Sequence, residues 1–316
     1  MLKRYFFKKT VLFLALAFSL LLIYLAPNNE ISFKQELSYN DTGIKSVIYL
    51  MDSNNYVART QVKTTNRTTE AKAKELLEIL INGDKNENKI PSGFKSIIPN
   101  DTRINSVKYE NNIIKVDFSS ELLDTKIEYE EKIIEAIVYT LTSIDGVDKV
   151  IIYVDGDILS KLPKTGINLP GTLDKSYGIN KEYNIDSYKD LSKVTVYYIS
   201  KYNDNTYYVP VTKYVNDDRD KIKIIIDSLA SSNLVTPNLM SFLNSNTVLL
   251  SSELNDESLN LVFNQYIFND LGTKNILEEV IYTISLSVEA NYNVKEVSFE
   301  VNNEEIYKSV TKNTWK

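Results

Sequence analysis

The chain has 316 residues, 43% hydrophobic and 25% charged, with a formal net charge of −6, which suits one to three domains with real cores. It contains no cysteine and no histidine, and this removes thiol catalysis, Ser/His/Asp triads, imidazole bases, disulfides and the usual zinc, copper or haem sites. With 9 Gly and 7 Pro, low-complexity and collagen-like segments are excluded, and each of these residues becomes useful punctuation.

The first element is an anchor. Residues 1–10 carry Lys3, Arg4, Lys8 and Lys9 and precede an apolar run from Val11 to Ala26 broken only by Ser19. At ~1.5 Å per residue the run reaches about 24 Å, short of a ~30 Å hydrocarbon core, and Phe6, Phe7 and snorkelling Lys8 and Lys9 extend it. No basic residue follows until Lys34. The positive-inside bias therefore predicts a cytoplasmic segment 1–10, a single-pass transmembrane helix 11–26 in the cell membrane, and an extracytoplasmic bulk. A cleaved signal is the competing reading, but cleavage after Ala26 would put bulky Tyr24 where a small residue is needed. Setting aside those four basic residues lowers the net charge from −6 to −10. Nucleic acid and anionic lipid head groups are then repelled, and protein or neutral polymer partners are favoured.

Next comes a strand pair, Ser46–Leu50 and Tyr56–Val62, around the turn Asp52-Ser-Asn-Asn55. Apolar spacing at Ala73, Leu76, Leu77, Leu80 and Ile81 predicts a helix over 69–81, ended by Gly83. Pro91, Gly93 and Pro99 make 90–99 a loop. Strands follow at 103–109 and 113–118, joined by Glu110-Asn-Asn112. A second helix over 129–143 turns Ile133, Ile134, Ile137, Val138 and Leu141 inward, and Asp145-Gly146 leads to a strand at 150–154.

The plan then repeats, with strands near 194–199 and 206–211, a helix near 218–230, strands near 247–251 and 258–263, a helix near 274–290 and a strand near 294–301. Glu135–Thr142 aligns with Glu278–Ser285, Val147–Val154 with Val294–Val301, Ile114–Ser119 with Leu259–Asn264, and Val47–Leu50 with Thr195–Tyr198. This alignment places a small insertion at the helix end. Residues 157–193, with Pro163, Gly166, Pro170, Gly171 and Gly178, read as a linker or extended connector. The predicted fold class is α+β: two tandem repeats, 44–156 and 194–306, each with two helices on one face of a small, mostly antiparallel sheet. A charge at Leu77 or Ile137 should remove several kcal/mol, because full burial of such a side chain contributes ~1.5–3 kcal/mol, and should collapse its own half first.

Pro91-Ser-Gly-Phe94, Ile97-Ile-Pro99, Thr102, Val116-Asp-Phe-Ser119, Glu135–Leu141 and Gly146-Val147 together resemble the GerMN domain family of sporulation and spore germination proteins, in both halves. The second copy departs from the pattern, with Thr236-Pro-Asn-Leu239 for Pro-x-Gly and Val262-Phe-Asn264 for Asp-Phe-Ser. Members are commonly exported lipoproteins. This chain has no lipobox cysteine, so Val11–Ala26 must anchor it. The resemblance implies an envelope protein of a Gram-positive spore former that supports the complex between mother cell and forespore and later germination. The helix-strand-strand-helix-strand order is also similar to a ring-building motif, which makes a homo-oligomeric ring an expectation by fold analogy.

Five constellations bear on chemistry. Ser92-Gly-Phe-Lys95 and Lys164-Thr-Gly166 fit the Ser-x-x-Lys and Lys-Thr-Gly of penicillin-interacting enzymes, but that chemistry needs a helix at Ser92, where Pro91 and Gly93 predict a loop, and Ser309–Lys312 matches just as well. Asn216-Asp-Asp-Arg-Asp220 clusters carboxylates, which before a helix complement its dipole. Asp155-Gly-Asp157 lacks calcium-loop spacing, and Leu169-Pro-Gly-Thr172 is no sortase signal. Tyr197, Tyr198, Tyr207 and Tyr208 either line a sugar- or protein-binding face or pack a sheet. The expectation is no catalytic, cofactor or metal site, hence no enzyme, with envelope or sporulation-complex proteins as partners. A cell-wall enzyme using Ser92 and Lys95, and a peptidoglycan- or ligand-binding protein, are the alternatives.

Overall fold

The computed structural model describes residues 44–83, 85–231 and 238–310. The expected segments 1–10 and 11–26 lie outside the described residues, and among those described no helix is long and apolar enough to cross a membrane.

The first repeat opens with β1 (Ile44–Asp52) and β2 (Val57–Thr64), antiparallel. Asp52 closes their turn by accepting the Asn54 and Tyr56 N–H groups at 2.9 and 2.8 Å, the usual service of an Asp side chain in a turn. Helix α1 (Thr69–Leu80) starts at Thr68, whose hydroxyl accepts the Ala71 N–H at 3.4 Å. A short β3 (Phe94–Lys95) pairs with β1. Strands β4 (Ile104–Glu110) and β5 (Ile113–Phe118) turn over Asn111 and Asn112, both left-handed at φ 52° and 62°, as a tight hairpin requires. Then come α2 (Ile127–Leu141), β6 (Lys149–Val154) and a stub, β7 (Asp157–Ile158).

After β8 (Glu182–Asn184) the second repeat follows the same order: β9 (Leu191–Tyr202), β10 (Asn205–Asn216), α3 (Lys221–Ala230), β11 (Leu249–Asn255), β12 (Ser258–Phe263), α4 (Glu278–Asn291) and β13 (Glu296–Val301). A final strand, β14 (Glu304–Val310), turns back over Asn302 and Asn303 at φ 54° and 62°.

The fold is α+β and the sheet of each repeat is mostly antiparallel, but the expectation that both helices lie on one face of a single sheet needs correction. Each repeat has a four-stranded sheet, β4-β5-β6-β7 or β11-β12-β13-β14, whose central pair is parallel. The chain leaves β5 through α2 and returns as β6, and a helical crossover of that kind yields parallel neighbours. The leading hairpins do not join these sheets. They form a sheet of their own, β3-β1-β2-β10 with β9 along one edge of β10 and β8 on the other. Helix α2 is consequently covered on more than the one stripe expected: Ile133, Ile134, Glu135, Ala136, Ile137, Val138, Tyr139, Thr140 and Leu141 are all buried.

Strands β2 and β10 meet antiparallel at Arg59 and Tyr208. Within the hairpins Tyr49 faces Arg59 and Tyr197 faces Pro210, so Arg59 corresponds to Pro210 and Val57 to Tyr208. The two repeats are thus related by a local two-fold passing between Ala58 and Val209. They form one compact unit with a hydrophobic core in each repeat.

The connector 157–193 is packed along this unit. Leu162, Leu169, Leu173 and Ile179 are buried, and Leu173 exchanges backbone hydrogen bonds with Val150 at 2.7 and 2.8 Å, supplying a partner to β6 where β7 has ended.

Candidate functional site at the junction of the repeats

The local two-fold brings equivalent residues into contact. The hydroxyls of Tyr49 and Tyr197 are 2.7 Å apart; each side chain is almost fully buried, and burial pushes the Tyr197 phenol well above its ordinary pKa. The outer edges of β1 and β9 are closed in the same way. The Tyr49 N–H donates to Thr140 Oγ1 at 3.0 Å, and the Tyr197 N–H to Ser287 Oγ at 2.9 Å. Thr140 and Ser287 are therefore equivalent, which shifts the helix alignment one turn from the one read in the sequence and puts the insertion before α4, not at its end. An amphipathic helix presents nearly the same face after four residues, so string matching cannot tell the two registers apart.

Between β2 and β10 sits Asn180, left-handed at φ 45° and 8% exposed. Its Oδ1 accepts the Val57 N–H at 2.9 Å, and its Nδ2 donates to Val57 O at 2.8 Å and Pro210 O at 2.7 Å. Its own N–H donates to Glu135 Oε2 at 2.9 Å. Desolvation pushes the buried Glu135 carboxyl up to about 7, against the opposing effects of the Asn180 hydrogen bond and Lys181. At the far end of the hairpins Asp52 Oδ2 accepts the Tyr207 hydroxyl at 2.9 Å, and Phe94 meets Tyr207 edge-on at 4.7 Å. Gly93, at φ 91°, lies against Tyr202: a Cβ there would stand 2.5 Å from the ring.

The motif residues are absorbed by this architecture. Ser92 is in a turn and Lys95 in β3, its ammonium 3.4 Å from Asn55 Oδ1. The groove holding both is also lined by Pro91, Phe94 and Ser96 but not by Lys164, Thr165 or Gly166. Those three lie over α2, where the Lys164 and Thr165 N–H groups donate to Glu130 at 2.8 and 2.6 Å. Burial would raise Glu130, but these bonds outweigh it and hold the carboxyl below its ordinary value. Ser119 and Arg103 form a latch, Arg103 N–H to Ser119 Oγ at 2.9 Å and Ser119 N–H to Arg103 O at 3.0 Å.

The second copy keeps the same devices with different residues. Asn264 takes the place of Ser119, bonded to Val248 at 3.1 Å both ways, and Asn238, at φ 82°, takes that of Gly93. In the acidic run, Arg219 pairs with Asp217 and, outside the run, with Asp227 of α3, each at 2.7 Å. Tyr197, Tyr198 and Tyr207 are buried and Tyr208 is half-buried against Tyr282, so these four strand tyrosines pack the sheet and do not form an open sugar-binding face.

Asn180 and Glu135 carry the junction; Glu135 stands in the sequence only as the first residue of the motif 135–141, with no role of its own, and Asn180 is not singled out there. The one signal for Asn180 is an Asn two residues after Gly178 in a polar connector, which any turn also supplies. Beside the two phenols a cavity of about 70 Å³ is walled by Arg59, Asp145, Lys175 and Glu289, with Lys175 3.3 Å from Glu289. That is far below the several hundred Å³ of a small-molecule site. Chemically, the junction positions and couples; its polar groups are spent on one another.

The family model described as "Germane: Sporulation and spore germination" matches residues 47–160 and 195–307. The spore germination protein GerM of Bacillus subtilis (strain 168) is 34% identical over 261 residues, spanning 81% of this chain and 70% of that protein. The solved tandem GerMN domains of the sporulation protein GerM from Bacillus subtilis match with a TM-score of 0.75 at 32% identity, covering 83% of this chain and 92% of that one.

Proposed function

Because this chain belongs to the Germane family of sporulation and spore germination proteins, we propose that it is a non-enzymatic, membrane-anchored envelope protein that serves as an assembly module in sporulation and germination. The observation that carries this reading is where the family's motifs end up. Pro91–Phe94 and Ser119 build contacts between or within repeats, and the Ser92 groove contains no Lys-Thr-Gly partner. The anchor is read from Val11–Ala26, with both repeats outside the cytoplasm.

Crosslinking the full chain in sporulating cells tests the reading directly: defined envelope proteins should be recovered with it, and recovery of none would sink the assembly role. A fluorescent β-lactam should leave the purified protein unlabelled, whereas an adduct lost in Ser92→Ala would establish cell-wall enzymology instead.

A further inference from the structure

We propose that a groove at the head of α4, in the second repeat, binds a neutral glycan, with Tyr266 as the platform for a sugar ring and Ser245 and Asn269 as hydrogen-bonding partners. The site is separate from the junction and from the strand tyrosines, and it adds a ligand to the assembly role.

The groove, of about 340 Å³, lies between residues 241–245 ahead of β11, the turn 266–269 after β12, and Leu277 and Val280 at the start of α4. Its volume falls in the range of small-molecule sites. Phe242 and Tyr266 line it and are 39% and 45% exposed. Lys201 stands over the Phe242 ring, 5.7 Å from its centroid, whereas Tyr266 has no ring contact among the described residues. Tyr266 is therefore the open platform.

The first repeat shows that the fold does not require these residues. The Ser119–Arg103 latch and its counterpart Asn264–Val248 fix the register, and the Thr102 N–H donates to Pro99 O as the Thr247 N–H does to Asn244 O, at 3.2 and 2.9 Å. Phe242, Tyr266 and Asn269 thus stand where the first repeat has Ile97, Glu121 and Asp124. There Glu121 pairs with Arg103 at 3.3 Å; here that pair is replaced by Tyr266 and Val248, the latter 51% exposed. Exchanging a solvated ion pair for two exposed apolar side chains does nothing for stability, and a local group of such residues marks a contact surface. The insertion before α4 holds Asn269 at the rim: its N–H donates to Asn275 O at 2.8 Å, and Asp270 ties the loop by accepting the Gly272 and Thr273 N–H groups at 2.6 and 3.2 Å.

The lining decides the class of ligand. It contains no ionised side chain; Lys201, Asp270, Glu278 and Glu279 lie outside it, so it selects neither an anion nor a cation. The hydroxyls of Ser245 and Tyr266 and the carboxamide of Asn269 have no partner among the described residues, and an acyl chain seated there would strip them of water without return. Hydroxyls and carboxamides both donate and accept, which matches the hydroxyls of a sugar, and the C–H face of a pyranose packs on an aromatic ring. None of the lining residues belongs to a strand, so a peptide finds no sheet edge to pair with.

The test is isothermal titration calorimetry of the purified full-length chain with the tetrasaccharides of β-1,4-linked N-acetylglucosamine and of β-1,4-linked glucose, each taken to about 10 mM. Saturable binding of at least one sugar is expected, unchanged by raising salt because no charge pairs across the contact; the sugar that binds separates an N-acetylated wall glycan from a plain glucan. Tyr266→Glu together with Val248→Arg installs the ion pair that the same fold carries in the first repeat, and should weaken binding by about tenfold or more. Asn269→Ala, at an exposed position, should weaken it by about threefold, and an unchanged urea midpoint checks that each variant is folded. Tyr188→Ser, at an exposed position outside the groove, should change nothing. Absence of binding by both sugars overturns the site, as does binding that survives both groove variants, that falls equally in Tyr188→Ser, or that an uncharged peptide of serine, glycine and leucine reproduces. Any of these results leaves the assembly role standing, since that role is read from crosslinked proteins.

Discussion

Pro210 has no N–H to offer β2, and at that point of the ladder the carboxamide of Asn180 supplies both a donor and an acceptor. Asn180→Ala would strand the Val57 N–H and two carbonyls in the interior and place Ala in a left-handed backbone. A loss of about 3 kcal/mol is expected from urea unfolding. Its partner Glu135 sets a pH dependence with a definite sign. Folding raises this carboxyl from an ordinary 4.5 to about 7, so its neutral form favours the native state. The contribution is whole below pH 4.5 and is lost as pH rises through 7, at most roughly 3 kcal/mol for a shift of this size. Glu75 and Glu130 behave oppositely: burial would raise each, but hydrogen bonds hold both low, and their stabilisation disappears only as pH falls below 4.5. Between pH 5 and 8, therefore, stability should decline with pH, and Glu135→Gln should flatten the slope while keeping an acceptor for Asn180. Gly93 presents a steric question. Gly93→Ala should lower stability by about 2 kcal/mol or more through overpacking and a φ that disfavours a Cβ, and Tyr202→Ala in the same chain should recover part of it in a double-mutant cycle.

At the level of elements, β9 and the part of β1 that precedes its short pairing with β3 turn outward amides to helices, whose hydroxyls cap them. Thr140→Val and Ser287→Ala should each cost about 1–3 kcal/mol, the price of an unsatisfied buried amide, and should speed hydrogen exchange at Tyr49 and Tyr197 respectively. Most elements were legible because their signals are local: apolar spacing in α1 and α2, and turn residues at Asp52–Asn55 and Asn111–Asn112. The same Asn-Asn signal stands at Asn302–Asn303, yet β14 was not read, because its strand carries Glu304, Glu305 and Lys308 on an exposed edge and lacks the apolar alternation of a half-buried strand. Strand β8 is three residues long, and its pairing to β10 depends on where the connector docks. The junction itself was hidden. Burial of Tyr197 and Tyr198 from both sides of β9, and the clasp of Asn180, follow from contacts between distant segments that no window of sequence contains.

For the molecule as a whole, the shared sheet alters the expectation that a core lesion collapses one half first. Ile137→Asp should unfold both repeats in a single transition, since β1 and β2 are held by α2 and in turn border β10; amides of β5 and β12 should lose exchange protection together. A contact built on a two-fold is isologous: it consumes the same patch on each participant and closes on itself. The hairpin edges that join the first repeat to the second are thereby used up, and no third repeat can be added through them. If many such chains form a ring, its repeating unit is the mutually clasped pair, and the ring must grow through surfaces that face away from that axis.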